Sequence, residues 1–249
     1  MTLWRSRTVD GIEIVPVQRL DLRVVPRPWA FAEARREEIA NFFAAQQRTR
    51  TGMWNGRVLL LGDFAVADDS FRGEFFETDF AAFYAWTQWG FPDPSVKNCF
   101  AAGALRTADG AFVLGVMGRQ TANPGSVYFP CGTPDPDDVD GERVDFERSV
   151  RRELVEELGL GADDYTAAAE WSIVFAGPRI ALIKPLWARQ AAAPLCARIE
   201  GYLADEAEPE LAGVRLVRGV ADFDATMPSF VTAYLRSIWS HVDENKDPA

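Results

Sequence analysis

Three glutamates near the middle of the chain have a spacing that places them on one face of a helix. Glu153, Glu156 and Glu157 stand at positions 0, +3 and +4, and at about 100° per residue they fall within an arc of roughly 100°. A separate apolar stripe recurs every fourth position, formed by Phe146, Val150, Leu154 and Leu158. The pattern predicts a helix over 146–158 that buries the stripe and carries three acids along its edge.

Such a concentration of acids favours a bound cation. Like charges at i,i+4 destabilise a helix by a few tenths of a kcal/mol, so an opposite charge is expected nearby. Magnesium prefers oxygen ligands and usually keeps several waters, which leaves room for substrate phosphates. The alternative is a solvated acidic helix face beside an arginine. Gly159 at the expected helix end, followed by an apolar strand, favours the metal site over that alternative.

These residues carry a family resemblance. The stretch Arg152-Glu153-Leu154-Val155-Glu156-Glu157-Leu158-Gly159-Leu160 resembles the second half of the Nudix box, G-x5-E-x7-R-E-U-x-E-E-x-G-U, where U is a bulky apolar residue. It matches every specified position of that half. The resemblance implies an α/β fold, an α/β/α sandwich with a mixed sheet. It also implies a divalent-metal hydrolase that cleaves a nucleoside diphosphate linked to another group.

The resemblance also implies roles for individual residues. Glu153, Glu156 and Glu157 would be catalytic residues and ligands of Mg²⁺, for which Mn²⁺ could substitute. Arg152, also part of the catalytic set, would hold a glutamate side chain through a bidentate ion pair. The metal would bridge diphosphate oxygens and lower the pKa of bound water.

The first half of the box departs from the family pattern. Val144 stands where the family has its first glutamate, eight residues before Arg152. The plausible box glycine, Gly132, lies twenty residues before Arg152 instead of fourteen, so the loop carries about six extra residues. Glu142 is a candidate to replace the missing acid in space. The simpler interpretation is that Val144 packs and Glu142 is an exposed loop charge.

The same loop partly resembles a calcium-binding loop. Position 1 of that pattern requires a carboxylate but is Pro136 here. The matching residues, at positions 3, 5, 6 and 12, are Asp138, Asp140, Gly141 and Glu147. A rigid, proline- and aspartate-rich surface loop at the mouth of the site is the better prediction.

The chain divides into a predicted N-terminal α+β extension over 1–91, packed on the core, and a Nudix-like catalytic domain over 92–249. In the catalytic domain the strands are expected at 99–105, 112–117, 126–129, 171–175, 179–187 and 213–217, and further helices at 192–204 and 229–239. In the extension, strands are expected at 12–17, 22–25, 57–61 and 65–66, and helices at 29–47 and 78–89.

Six closely spaced aromatic residues mark the end of the extension: Phe75, Phe76, Phe80, Phe83, Trp86 and Trp89. An aromatic stripe of this kind predicts core packing. The alternatives are that it lies beside the substrate pocket or forms a homodimer interface.

Composition excludes several functions. The 249 residues carry a net charge of −11 from 26 basic and 37 acidic residues, which argues against nucleic-acid partners and anionic membranes. The three cysteines show neither zinc spacing nor a disulfide framework. No targeting segment and no apolar run of about 18 residues is found, so a cytoplasmic location is expected. His241 is the only histidine, which excludes a histidine-based triad as the main chemistry.

Further site residues are predicted with less support from motifs. Arg119, at a strand end, could contact substrate phosphates, and Gly132 could allow a close backbone approach. The general base is a box glutamate or a later acid, Glu208 or Glu210. The candidates for stacking on a base are Trp171, Phe175 and Trp187.

The function expected from these residues is a Mg²⁺-dependent hydrolase of a nucleoside diphosphate linked to another moiety. The partner would be a small nucleotide, with a nucleotide sugar or an ADP-ribose-like compound favoured. The alternative is a catalytically weak or inactive Nudix-fold protein that senses a nucleotide, which Val144 and the lengthened loop would favour.

Overall fold

The computed structural model describes residues 6–50 and 53–244, and in this part the chain forms two mixed β-sheets and six α-helices. The helices are α1 (Ala30–Ala34), α2 (Arg36–Gln47), α3 (Phe80–Gln88), α4 (Phe146–Leu158), α5 (Ala192–Asp205) and α6 (Ser229–Glu244). The strands of the N-terminal segment are β1 (Arg7–Val9), β2 (Ile12–Val17), β3 (Arg19–Val24), β4 (Arg57–Ala67) and β5 (Ser70–Asp79). The remaining strands are β6 (Asn98–Arg106), β7 (Phe112–Met117), β8 (Val127–Tyr128), β9 (Cys131–Gly132), β10 (Val139–Asp140), β11 (Arg143–Val144), β12 (Tyr165–Ala167), β13 (Trp171–Ala176), β14 (Arg179–Ala188) and β15 (Leu211–Val217).

The large sheet has the strand order β1-β2-β13-β14-β6-β7-β15, and β12, β8 and β9 pair with β14, β7 and β6. Its centre is the parallel pair β14–β6, whose register runs from Arg179 opposite Asn98 to Trp187 opposite Arg106. Both central strands are almost entirely buried, as expected for strands covered on both faces.

Helices cover both faces of this sheet. On β6, a Cβ built on Gly103 would lie 3.3 Å from Val150 of α4, whereas the ring of Phe100 packs on Phe230 of α6, with centroids 5.3 Å apart. Residues three apart on a strand point to opposite faces, so α4 and α6 lie on opposite sides. The predicted α/β/α sandwich with a mixed sheet is confirmed.

The small sheet has the order β10-β11-β3-β5-β4. Strands β3 and β5 are parallel, and the other pairs are antiparallel. Its β10–β11 hairpin comes from the loop between Gly132 and α4, so the extra residues of that loop are folded into a sheet. The N-terminal segment therefore supplies strands to both sheets, β1 and β2 to the large one and β3 to β5 to the small one. The division of the chain at 91/92 stays a prediction.

Most predicted elements are found within one or two residues of their expected ends, and α4 has the predicted bounds. Three predictions in the extension were wrong. The two strands expected at 57–61 and 65–66 are one continuous strand, β4. The helix expected over 78–89 begins at Phe80, because Thr78 and Asp79 end β5, a strand that the sequence analysis did not anticipate. The helix expected over 29–47 is interrupted at Arg35, whose φ and ψ are −113° and 20°.

The six aromatic residues at the end of the extension pack in cores, as predicted. Phe75 belongs to the main core, whereas the other five lie in or against a second hydrophobic cluster. Trp86 is fully buried, and its Nε1 donates to the Asp93 carbonyl oxygen at 3.0 Å. Trp29 packs edge-on against it, with ring centroids 6.1 Å apart. Among the described residues, no helix is long and apolar enough to cross a membrane. The backbone of His241 belongs to α6, but its side chain lies outside the described part.

Truncation of a tryptophan in this core should lower the stability of the protein much more than truncation of an exposed tryptophan. Trp86→Ala should lower the free energy of unfolding by about 3–5 kcal/mol, because it removes a buried ring and leaves a cavity. The control is Trp54→Ala, the same change at a side chain that is 74% exposed, which should stay within about 0.5 kcal/mol. Urea unfolding followed by circular dichroism measures both. If both variants lost the same unfolding free energy, the buried Trp86 ring would contribute no more to stability than an exposed one, which would contradict its role in the core.

Candidate active site

Local sequence signals fix both ends of α4. The carboxylate of Asp145 accepts a hydrogen bond from the backbone N–H of Arg148 at 2.9 Å, which caps the N-terminus. Gly159 ends the helix with φ +64°, and a Cβ there would lie 2.5 Å from the ring of Tyr202. The apolar stripe is buried as predicted: Phe146, Val150, Leu154 and Leu158.

The helix buries two of its three box glutamates. Glu153 and Glu157 are 6% and 3% exposed, whereas Glu156 faces the solvent. The backbone N–H of Cys131, in β9, donates to the Glu157 carboxylate. Glu157 Oε2 is buried without a hydrogen-bond partner in the described part of the protein. The site therefore contains a buried, acceptor-only oxygen that an opposite charge would satisfy.

The electrostatics of this pair reflect an excess of negative charge. Burial raises the pKa of Glu153 to about 7, and the charge of Glu156 adds to the effect while Arg152 opposes it. Burial also raises the pKa of Glu157 well above its usual value, and the charge of Glu153 raises it further. Both shifts arise because desolvation and like charges disfavour the ionised form. A cation between the two carboxylates would reverse both effects.

Gly132 brings the β9 backbone against this pair. A Cβ at position 132 would lie 2.3 Å from Glu153 Oε1 and 2.9 Å from its Cδ. The structure thus places the Gly132 backbone close to Glu153, while a contact between Gly132 and substrate stays a prediction. The requirement is for space, since any side chain here would displace the Glu153 carboxylate.

Arg152 is held by an acid that the sequence analysis did not select. Its Nη2 donates to both carboxylate oxygens of Asp138 at 3.1 Å, and Asp138 is fully buried. Its Nη1 lies 3.1 Å from a Glu153 oxygen and donates to Glu156 Oε2 at 3.2 Å. Burial lowers the pKa of Arg152, but the Glu153 and Asp138 carboxylates outweigh it and raise the pKa. Arg152 thus links the buried Asp138 to the acids of α4.

The lengthened loop folds so as to bury Asp138. A short 3-10 turn spans Pro136–Asp138, and the Asp135 carboxylate accepts from the Asp137 N–H at 2.8 Å. The Asp138 carboxylate accepts from the Asp135 N–H at 3.3 Å, and its carbonyl oxygen accepts from the Asp145 N–H at 2.8 Å. The sequence signal for this turn was an Asp-Pro-x-Asp capping box.

Glu142, the candidate replacement for the missing first glutamate, does not fill that place. It is exposed, and the ion pairs of Arg152 in the described part of the chain are with Asp138, Glu153 and Glu156. Val144 is buried in the core and pairs with Val139 of β10, as the simpler interpretation predicted. The loop is also not a calcium-binding loop, because the Asp138 carboxylate is committed to Arg152.

Two further residues adjoin the buried glutamates. The charge of Glu210 is among those that raise the pKa of both Glu153 and Glu157. The Glu210 carbonyl oxygen accepts from the Gly118 N–H at 2.7 Å, which places it at the end of β7. Tyr128, also unanticipated, has a pKa raised by burial and by the nearby Cys131 and Glu157. Glu208, the other candidate base, is exposed.

The remaining predicted contacts are distributed around the sheet. Arg119 is exposed and follows Gly118 directly, at the same end of β7 as Glu210. Trp171 is buried under Lys184, whose Nζ lies 4.6 Å from the ring centroid, so it has a core role. Phe175 stacks on Phe64 at 5.9 Å. Trp187 is 44% exposed and is the most exposed member of this aromatic set.

The donor set suits a hard divalent cation. Within the described residues, no group of three or more His, Cys, Asp or Glu side chains forms a ready-made metal cage. Mg²⁺ requires no such cage, because it usually takes one or two carboxylates and completes its shell with waters and substrate phosphates. The buried pair Glu153 and Glu157, with an oxygen lacking a partner, fits that arrangement.

No family model and no curated protein matches the sequence. The solved structures that resemble the chain include RenU, a Nudix hydrolase from M. smegmatis, with 16% identity over 59% of this chain and 87% of that one, at a TM-score of 0.39. The MutT protein from Methanosarcina mazei Go1 shows 16% identity over 61% of this chain and 96% of that one, at a TM-score of 0.38. An Ap4A hydrolase from C. elegans shows 18% identity over 59% of this chain and 98% of that one, at a TM-score of 0.37.

The chain is similar in structure to Nudix hydrolases. The resemblance that the sequence indicates is confirmed to this extent. Because the TM-scores lie below 0.5 and the identities below 20%, support for a function comes from the side chains of α4 and its loop.

Removing Asp138 should destabilise the protein, because it leaves Arg152 partly buried without its main partner. Asp138→Ala is expected to cost about 3 kcal/mol of unfolding free energy. Glu142→Ala, in the same loop, should change it by less than about 0.5 kcal/mol. Urea unfolding measures both. A larger loss for Glu142→Ala would contradict the assignment of Asp138 as the partner of Arg152.

Restoring the family glutamate at position 144 should harm the protein. Val144→Glu would bury a carboxylate against the core, which costs several kcal/mol when no partner is available. Val155→Glu introduces the same residue at an exposed position of α4 and should be tolerated. Thermal unfolding compares the two variants. If Val144→Glu were as stable as wild type, the hairpin would have to be arranged differently from the structure.

Proposed function

We propose that the chain is a Mg²⁺-dependent hydrolase of Nudix type that cleaves the phosphoanhydride of a nucleoside diphosphate linked to another moiety. The main support is the buried pair Glu153 and Glu157 on one face of α4, with an oxygen that lacks a partner. Two desolvated carboxylates side by side destabilise the protein unless a cation joins them. A solvated acidic helix face would not be buried in this way.

Each residue of the site has a proposed role. Glu153 and Glu157 would hold the metal, which is Mg²⁺ or, as a substitute, Mn²⁺, and the exposed Glu156 stays the third ligand that the sequence predicts. When bound, the metal neutralises diphosphate oxygens and lowers the pKa of a coordinated water. Arg152 orients Glu153 and Glu156 through its Nη1 and is itself fixed by Asp138. Gly132 keeps the space that the Glu153 carboxylate requires.

The proton from the attacking water needs an acceptor. Glu210 is the preferred later acid, because its charge acts on both buried glutamates; a box glutamate is the other candidate. Phosphoryl transfer relies mainly on positioning and on charge neutralisation. Fixed carboxylates around a metal and a nearby acid would supply both.

On the substrate side, Arg119 would contact phosphate oxygens, and Trp187 offers a partly exposed ring for stacking. We favour a nucleotide sugar or an ADP-ribose-like compound over a bare triphosphate, since the long loop and the N-terminal segment add folded structure around the Nudix-like part. A cytoplasmic location, a small nucleotide as substrate and a homodimer as the alternative to a monomer belong to this proposal.

The alternative is a catalytically weak or inactive nucleotide sensor. It was favoured by Val144 and by the lengthened loop. In the structure, that loop supplies Asp138 to Arg152, so the absence of the first glutamate is no longer an argument for inactivity. The hydrolase is therefore the better supported function.

The decisive assay combines a substrate panel with one matched pair of variants. Purified protein is incubated with nucleoside diphosphate sugars, dinucleotides and triphosphates, with Mg²⁺ or chelator, and products are identified by mass. We expect Mg²⁺-dependent release of a nucleoside monophosphate. Glu157→Gln should lower turnover by about 100-fold or more, since a metal-binding charge is lost, without lowering the melting temperature of the metal-free protein.

The control for this variant is Glu200→Gln, the same substitution at an exposed position of α5, which should retain full turnover. Wild-type turnover by Glu157→Gln would refute the assignment of the site. No turnover by the wild-type protein, together with thermal stabilisation by a nucleotide, would favour the sensor.

A further inference from the structure

We propose that the outer face of the small sheet is a second binding site, for a small ligand that carries two or more phosphate groups. The site is an open cleft of about 490 Å³, here called the arginine cleft. Its charged lining consists of Arg19, Asp21, Arg23, Arg72, Glu142 and Arg143. None of the box glutamates lines it, so the proposal goes beyond the hydrolase function and does not depend on it.

Strand geometry gathers these side chains on one face. Successive residues of a strand point to opposite faces; Leu22 of β3 is buried in the core, so its neighbours Asp21 and Arg23 point outward. Arg72 of β5 pairs with Asp21, and Arg143 of β11 pairs with Arg23. Three adjacent strands thus present arginines to the same cleft.

The charges of the cleft are not balanced internally. Four arginines and two carboxylates line it, in a chain whose net charge is −11. Arg23 lies 3.5 Å from Asp21, and Arg19 donates from Nε to Ser70 Oγ at 3.2 Å. Among the side chains that the structure describes, in residues 6–50 and 53–240, no ion pair involves Arg72 or Arg143.

One pairing in the cleft is unfavourable without a ligand. Arg143 and Arg23 are direct cross-strand neighbours, and like charges in that position destabilise a sheet. Glu74, the partner of Arg23 on the other side, does not belong to the lining. A bound anion between Arg23 and Arg143 would turn their repulsion into two attractive contacts.

The geometry selects the class of ligand. The planar guanidinium group matches phosphate oxygens in bidentate fashion. Adjacent strands lie about 4.8 Å apart, and residues two apart on a strand are separated by about 6.8 Å. Arg143 and Arg72 lie on either side of β3 and are offset by two residues along it. Their backbones are therefore roughly 12 Å apart, and one phosphate contacts only part of the set. The volume lies within the range of about 300–1,000 Å³ typical of small-ligand sites. A long nucleic acid is disfavoured because the rest of the chain is acidic.

Binding to the cleft is measured by isothermal titration calorimetry of the full chain with inorganic tripolyphosphate and with ADP, at low salt and in chelator. The chelator removes divalent metal, so the α4 glutamates repel the probes. Arg72→Gln/Arg143→Gln removes two charges that have no ion-pair partner among the described side chains and should raise the Kd for tripolyphosphate by at least about 10-fold. The matched control, Arg36→Gln/Arg48→Gln, removes two exposed charges of the α2 region and should leave the Kd within twofold.

Glu157→Gln should bind tripolyphosphate like the wild type, which separates the cleft from the hydrolase site. Absence of binding by the wild type would overturn the proposal, and so would equal weakening by both arginine double variants, since that would reflect net charge alone. Binding that strengthens in Glu157→Gln and is unchanged in Arg72→Gln/Arg143→Gln would assign the probes to α4 and also overturn it. No turnover is needed, so the result is independent of whether the hydrolase proposal holds.

Discussion

The contact between Arg152 and Asp138 connects the inserted loop to the helix that carries the acids. Asp138 is fully buried and meets one end of the guanidinium group, while the other end reaches Glu153 and Glu156. A guanidinium group that is fixed on one side by a buried carboxylate presents its remaining N–H groups in a defined direction. The positions of the α4 glutamates therefore depend on a turn that ends at Asp138, fourteen residues before Arg152.

A second constraint is the burial of Glu153 and Glu157 beside each other. Apolar packing of α4 on β6 and the close approach of Gly132 hold both carboxylates away from water, and Arg152 compensates only part of their charge. The fold thereby stores an unfavourable interaction that the proposed divalent cation would relieve. Functional sites often contain locally unfavourable interactions of this kind, which the rest of the fold compensates.

The sequence predicted α4 and its bounds because every local signal agrees there: a 3.6-residue apolar period, an Asp cap and a terminal glycine. It also predicted the central strands, whose residues are apolar and bounded by turns. It did not predict β5, where the two adjacent buried residues Phe75 and Phe76 break the alternation. Asp138 was missed for a different reason. Its partner depends on how the loop folds across the helix, which no local pattern shows, although the capping box of its turn was present in the sequence.

The central claim is that one cation lies between the buried carboxylates of α4. Anomalous diffraction from a crystal of the protein soaked in Mn²⁺ tests it directly, because manganese can substitute for magnesium and scatters anomalously. A peak within coordination distance, about 2.0–2.3 Å, of carboxylate oxygens of both Glu153 and Glu157 is the predicted result. A well-ordered site with no peak there, or with those oxygens bonded only to protein groups, would contradict the account.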